Sequence, residues 1–210
     1  MILAGLVLDW QSWKRKIDSI NGGQMNIKGK ILTLRAIEER DLEALHKWAN
    51  DPITQDGIGE LHFPSSMDFH KTWFQNLRID QLNQRFIVEV PDTGAIGISS
   101  IMNIDWRNSH AWHGLVLGEA THRGKGYGID AIMATMRYAF EELNLERLDG
   151  SMIEYNKLSI STYCGRRLGW KEDGRRKDYY FRKGRYWDQI LVGITKHDYL
   201  DLIRKTNYWG

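Results

Sequence analysis

The sequence predicts an α+β (α/β) domain. Three observations point to it. Short runs of alternating apolar and polar residues recur from residue 30 onward, runs with apolar residues at helical spacing lie between them, and no repeat, low-complexity tract or linker interrupts residues 30–200. With 210 residues, 42% of them hydrophobic, the chain can build one domain with a sizeable core. The expected division is an N-terminal extension at 1–29, helical or poorly ordered, a single domain at 30–200 and a C-terminal tail at 201–210.

The extension opens with eight uncharged residues before Asp9. A bilayer span needs about 20 apolar residues, and the basic start of a signal peptide is missing. A short amphipathic helix ending near Gly22 and Gly23 is expected, docked on the domain or on a partner subunit; a true start at Met25 is the alternative. From Gly29 the pattern is regular. "KILTLRAI" alternates like a half-buried strand, and Glu38 to Asn50 carries helical spacing that stops before Asp51 and Pro52. A loop with Gly57, Gly59 and Pro64 leads to a helix capped by Ser65 or Ser66, and "QRFIVEV" is a strand closed by Pro91, Asp92 and Gly94. "AIGISSIMNI" and "HAWHGLVLG" read as two further strands of an antiparallel meander. A helix over about Ile129 to Asn144, the strand "ERLDGSMIEY", the helix "KLSISTYCGRRLG", a hairpin ending in "DQILVGI" and a terminal helix complete the order.

Composition removes several classes of function. The 29 Lys plus Arg stand against 27 Asp plus Glu, so a net charge of +2 gives no general attraction to nucleic acid or membrane. The single cysteine, Cys164, excludes an internal disulfide and suits a reducing, cytoplasmic compartment; its expected place is the core. His110 and His113 lie three apart on a strand, which puts them on opposite faces, and no Cys or carboxylate cluster joins them. No metal is expected.

The chemistry concentrates in "RGKGYG", residues 123–128, between an apolar strand and an amphipathic helix. A helix start offers about four unpaired N–H groups and roughly half a positive charge, and glycines let an anion approach the main chain. Arg123 and Lys125 add positive charge, so the segment reads as a pyrophosphate cradle formed by Arg123, Gly124, Lys125, Gly126, Tyr127 and Gly128. A Walker loop fails because no Ser or Thr follows Lys125, and a dinucleotide fingerprint is weak because the spacing is GxGxG well past the middle of the chain.

The segment resembles motif A of the GCN5-related N-acetyltransferases (GNAT), RxxGxG, met here as Arg123, Gly126 and Gly128. The element order over about residues 30–200 agrees with that family, and "LGWKEDGRRKDYYFRKGRYWDQILVGI" is similar to its ribosomal-protein, spermidine and nucleotide-linked amino-sugar subgroup. The resemblance implies a twisted, mostly antiparallel sheet of about seven strands, splayed between the fourth and fifth, with helices on both faces. It implies acetyl-coenzyme A as cosubstrate and direct transfer to an amine. Main-chain amides near Val116, Leu117 and Gly118 are then expected to hold the pantetheine arm and the oxyanion. Asn156 would bind the coenzyme and Tyr163, seven residues on, would protonate the leaving thiolate. The family has four residues from that Tyr to the next Gly-aromatic turn, and here Tyr163 to Gly169 is six. Either two residues are inserted or Gly165 takes the Tyr position. The base is expected at His113, with Glu119 as the carboxylate alternative.

The acceptor is expected across the sheet, near residues 56–64 and the last hairpin, against Trp106, Trp112, Tyr179, Tyr180 and Trp187, with Asp188 or Glu60 holding a cation. Arg166, Arg167, Arg175, Arg176 and Lys177 form a basic cluster suited to acidic groups, though a solvated face explains it as well. The leading function is N-acetylation of a small-molecule amine such as an amino sugar, nucleotide-linked amino sugar or polyamine, with a protein N-terminal amine as runner-up. An acyl-coenzyme A sensor and a ribosome or RNA partner are the other classes. A homodimer is allowed; nucleic acid and membrane are not expected partners.

Overall fold

One eight-stranded sheet organises the chain, in the order β1-β2-β3-β4-β5-β6-β8-β7. The computed structural model describes residues 26–59, 63–77 and 80–210, so the expected N-terminal helix and Glu60 lie outside the described residues. The strands are β1 (Ile27–Lys28), β2 (Thr33–Arg35), β3 (Gln84–Val90), β4 (Gly94–Asp105), β5 (His110–Leu117), β6 (Arg147–Ile153), β7 (Lys171–Arg182) and β8 (Arg185–Thr195). The helices are α1 (Leu42–Asn50), α2 (Pro52–Asp56), α3 (Met67–Asn76), α4 (Tyr127–Arg137), α5 (Lys157–Tyr163) and α6 (Lys196–Thr206). The eighth strand is the two-residue β1, too short for a periodicity to announce.

Local signals place most boundaries. The Ser66 side chain accepts from Phe69 N and starts α3. The helix α1 stops before Asp51 as its spacing predicts, but the next residues are helical too: Asp51 caps α2 through Thr54 N, with Pro52 in the first turn. The helix α4 starts two residues earlier than its apolar spacing suggests, at Tyr127, and widens into a π turn over Tyr138–Glu142. Residues 201–206 continue α6, and beyond them Tyr208 donates to Asp130 Oδ1 while Trp209 Nε1 donates to the Tyr199 hydroxyl.

Each face of the sheet has its own core. Ile101, Ala111, Leu148, Met152, Ile190 and Val192 pack with Ile132, Met133 and Met136 of α4 on one side, while Leu42, Leu45 and Trp48 of α1 pack on Ile87 with Trp73 and Phe74 of α3 on the other. All pairings are antiparallel except β5 with β6. That parallel contact is brief: only His110, Ala111 and Trp112 face Arg147, Leu148 and Asp149. Beyond it the two strands part, and the sheet is open from His113 and Gly150 onward.

Candidate active site

The opening in the sheet and the glycine loop lie at one end of β5. Gly126 occupies the N-cap of α4 with φ 86°, a left-handed conformation that glycine takes without strain, and no side chain caps the helix. The first intrahelical bond is Asp130 N to Gly126 O, which leaves the first-turn amides directed outward. Gly124 is also left-handed, at φ 75°, and a Cβ there would meet nothing within 4 Å. Lys125 is exposed on the loop, and Arg123 lies close enough to Asp51 to lower its pKa, after the Thr54 hydroxyl and amide that Asp51 binds. A main-chain cradle of this kind fits a diphosphate.

Strand parity decides which amides face the opening, and it corrects part of the expectation. Gly118 N bonds to Ile96 O, so alternation along β5 turns the main-chain groups of Gly118 and Val116 toward β4. Gly118 O accepts from the Thr54 hydroxyl, and a Cβ on Gly118 would overlap the Trp48 ring. The groups of Leu115 and Leu117 face the gap left by β6. At the other end of β5, Ser109 O accepts from Glu146 N and Arg147 N, in keeping with the same parity. The main-chain groups of Leu117 and Leu115 therefore face the gap, while Val116 and Gly118 are used within the sheet.

Where the strands part, His113 and Tyr163 meet. The Tyr163 hydroxyl lies 2.8 Å from His113 Nδ1, and both rings pack against Trp170. His113 Nε2 faces Ser99 Oγ at 3.5 Å, Ser99 Oγ lies 2.8 Å from Thr135 Oγ1, and Thr135 donates to Ala131 O at 2.8 Å. Because the Thr135 proton goes to a carbonyl, Ser99 must donate to Thr135. His113 Nε2–H then donates to Ser99, and Tyr163 donates to His113 Nδ1. Burial lowers the His113 pKa from 6.5 to about 3 and pushes the Tyr163 hydroxyl well above its ordinary value. His113 is thus a neutral acceptor for Tyr163, with both nitrogens engaged; the geometry does not present it to an amine.

Glu119 follows β5 on the side of α1, where Lys47 Nζ pairs with it at 2.7 Å; that hydrogen bond and charge hold its pKa below the usual carboxylate range. Asn156 caps α5 through Ser159 N and donates to Gly57 O, while Tyr155 donates to Asp56 O, so the start of α5 is tied to the loop after α2. Residues 164–168 form the turn beyond α5, where a Cβ on Gly165 would meet Ser161 O. Cys164 is exposed there, a correction to its expected place in the core: the helix has ended and the turn leaves its side chain outside.

The expected acceptor residues separate. Trp106 lies in the turn between β4 and β5, at the end of β5 away from the glycine loop, exposed and remote from the opening. Trp112 and Trp187 lie on the face of α1 and α3. Trp187 packs edge-on against Tyr155 and carries the Arg185 guanidinium over its ring at 3.4 Å. Asp188 shares parity with the core residues Ile190 and Val192, so it points to the face of α4 and α5, where Arg175 Nη1 lies 3.4 Å away and Asp178 N donates to it. It is not available as an acceptor anchor. Sequence reasoning missed Ser99 and Thr135, whose only signal is polarity on otherwise apolar faces, and Ser151 and Gln189, which share a hydrogen bond on the open face. Among the described residues no group of three or more His, Cys, Asp or Glu could hold a metal, and no helix is long and apolar enough to cross a membrane.

The chain is similar to known proteins in sequence and fold. The chain is 28% identical over 171 residues to the SPbeta prophage-derived N-acetyltransferase YokL of Bacillus subtilis, covering 81% of this chain and 93% of that one. It is 29% identical over 105 residues to the [ribosomal protein uS5]-alanine N-acetyltransferase of Escherichia coli, half of this chain and 53% of the relative. Its fold matches the crystal structure of spermidine N-acetyltransferase from Vibrio cholerae in complex with CoA and spermine with a TM-score of 0.75, at 27% identity, over 80% of this chain and 98% of that one. Residues 32–169 match the family described as the acetyltransferase (GNAT) domain, and with the cradle and the parted strands in place the chain belongs to the GNAT family of N-acetyltransferases.

Proposed function

We propose that the protein transfers the acetyl group of acetyl-coenzyme A directly to a primary amine of a small molecule, such as an amino sugar, a nucleotide-linked amino sugar or a polyamine. The observation that carries this reading is the parting of β5 and β6 beside the uncapped start of α4. Acetyl-coenzyme A supplies an activated thioester, and the chain does the rest. Arg123, Gly124, Lys125, Gly126, Tyr127 and Gly128 hold its pyrophosphate. The amides of Leu115 and Leu117 bind the pantetheine arm and the oxyanion that develops on the carbonyl. Asn156 sets the start of α5 and so the position of Tyr163. Because burial keeps the Tyr163 hydroxyl protonated above the range of a thiol, it stabilises the leaving sulfur as a hydrogen-bond donor, and His113 holds it in place until then. Glu119 is the base, acting through water, with the Lys47 pair keeping its carboxylate ionised and exposed to solvent.

Free-thiol release with acetyl-coenzyme A against amino sugars, nucleotide-linked amino sugars, polyamines and N-terminal peptides tests the proposal. Release with a small amine supports it. Release only with peptides favours the second reading, a protein N-terminal acetyltransferase, which the ribosomal-protein relative supports over half of the chain. Silence with coenzyme binding intact leaves a sensor. The cradle has its own test: Gly126→Asp adds a side chain and a like charge at a left-handed position and should weaken coenzyme binding by roughly 100-fold or more in calorimetry. Normal binding by that variant would displace the cradle.

A further inference from the structure

We infer that the acceptor amine carries an anionic group, a phosphate or a carboxylate, and that Arg176 receives it. The inference rests on the acetyltransferase function proposed above and narrows its substrate. Arg175 and Arg176 are adjacent in sequence and opposite in role. Arg175 pairs across the sheet with Ile190, on the core parity, and its guanidinium meets Glu154, Glu172 and Asp188. Arg176 pairs with Gln189, on the open face, and among the described residues it makes no ion pair. Its Nη1 donates to Gln189 Oε1 at 3.2 Å. Gln189 is itself buried, and its amide nitrogen donates to Ser151 Oγ at 3.1 Å and to the Tyr180 hydroxyl at 2.7 Å. A buried amide with every partner satisfied thus aims a guanidinium that has no counterion.

The row Ser151, Gln189, Arg176 runs outward from the opening, since Ser151 lies on β6 past the last residue that faces β5. Arg176 stands on β7, two strand spacings from β6 at the edge of the gap, about 10 Å. That span sets the separation between the reacting nitrogen and the anion. The surroundings oppose a polycation. Residues 171–187 hold seven basic residues against three acidic. Two aromatic faces suited to an ammonium are taken by the chain's own cations, Arg185 over Trp187 and Lys183 over Tyr155 at 4.8 Å, and Arg176 itself lies 5.6 Å from the centre of the Tyr179 ring. The nearby carboxylate of Asp56 pairs with Lys183, and that of Asp188 is on the other face.

Steady-state kinetics on matched acceptors, with acetyl-coenzyme A saturating, tests this: glucosamine against glucosamine phosphate, a peptide amide against its free carboxylate, and spermidine. A charge-assisted hydrogen bond predicts a kcat/KM about 10–100-fold higher for the anionic member of at least one pair. The phosphate and carboxylate arms identify which anion is read. Arg176→Gln should erase that preference by raising the acceptor KM, with the KM for acetyl-coenzyme A unchanged, and Arg176→Lys should restore part of it. Spermidine turned over faster than every anionic acceptor, or a preference that survives Arg176→Gln, overturns the inference alone. No thiol release from any acceptor, with coenzyme still bound, overturns the proposed function and this inference with it.

Discussion

Arg35 and His113 are both 5% exposed polar side chains on strands, yet one is permanently charged and the other is held neutral. Arg35 donates to both Asp41 oxygens, at 2.7 and 2.8 Å, to Glu89 at 2.8 Å and to Ala36 O at 3.0 Å. The hydrogen bond that Arg35 donates to Asp41 raises its pKa further, against the opposing effect of burial. Asp41 also accepts from Glu38 N, and although burial alone would raise its pKa, Arg35 keeps it below the ordinary value. Among the described residues the side-chain hydrogen-bond partners of His113 are hydroxyls alone, and with no carboxylate to repay the loss of water it gives up its charge. The difference shows what each cluster is for. A closed set of charges locks β2 to the turn before α1. A neutral, directional chain of hydroxyls lies where the sheet parts, so the opening stores no charge beside the thioester that would be cleaved there.

Breaking the charged cluster should have the larger effect. Asp41→Ala leaves Arg35 with only the half-exposed Glu89 and should cost about 3–5 kcal/mol in urea denaturation. A loss below about 1 kcal/mol would show that water compensates Arg35. Acid should weaken the neutral cluster. The folded His113 pKa of about 3 lies below its ordinary 6.5, so the unfolded chain binds the extra proton between those values. The His113 contribution is therefore fully present above about pH 6.5 and is lost as pH falls toward 3, at about 1.4 kcal/mol per pH unit. His113→Gln keeps an acceptor for Tyr163 and should flatten the stability profile by that slope; parallel profiles would mean that His113 takes up its proton without unfolding. Tyr163→Phe should act least on stability, about 1–3 kcal/mol from the unpaired His113 Nδ1, while lowering kcat roughly 10–100-fold with an unchanged KM for acetyl-coenzyme A. Turnover at the level of the parent protein would remove Tyr163 from the reaction and leave it as core.

How far the site was legible follows from which interactions are local. The glycine loop, the Ser66 cap and most of the order of strands and helices depend on neighbours a few residues apart and stand close to where spacing places them, with α2 and the two-residue β1 as the additions. The pairing of His113 with Tyr163 joins residues 50 positions apart, and no periodicity predicts that a helix will aim its last side chain at a particular strand residue. Asp188 and Gln189 show the same limit at closer range. Both are polar residues beside an aromatic in a predicted strand, and which of them faces the core depends on the register of β8 with β6.

The sequence by itself determined that this chain folds as an α+β domain, that a glycine-rich loop leads into the start of α4, and the family to which its motif and element order belong. Turn chemistry and hydrophobic period are short-range, so they are written in consecutive residues. Only the tertiary structure decided that Leu115 and Leu117, rather than Val116 and Gly118, face the opening, that His113 is neutral and enclosed, and that among the described residues Arg176 makes no ion pair while its neighbour Arg175 does. Strand parity, burial and charge pairing arise from contacts across the sheet, and a single residue of register reverses each of them.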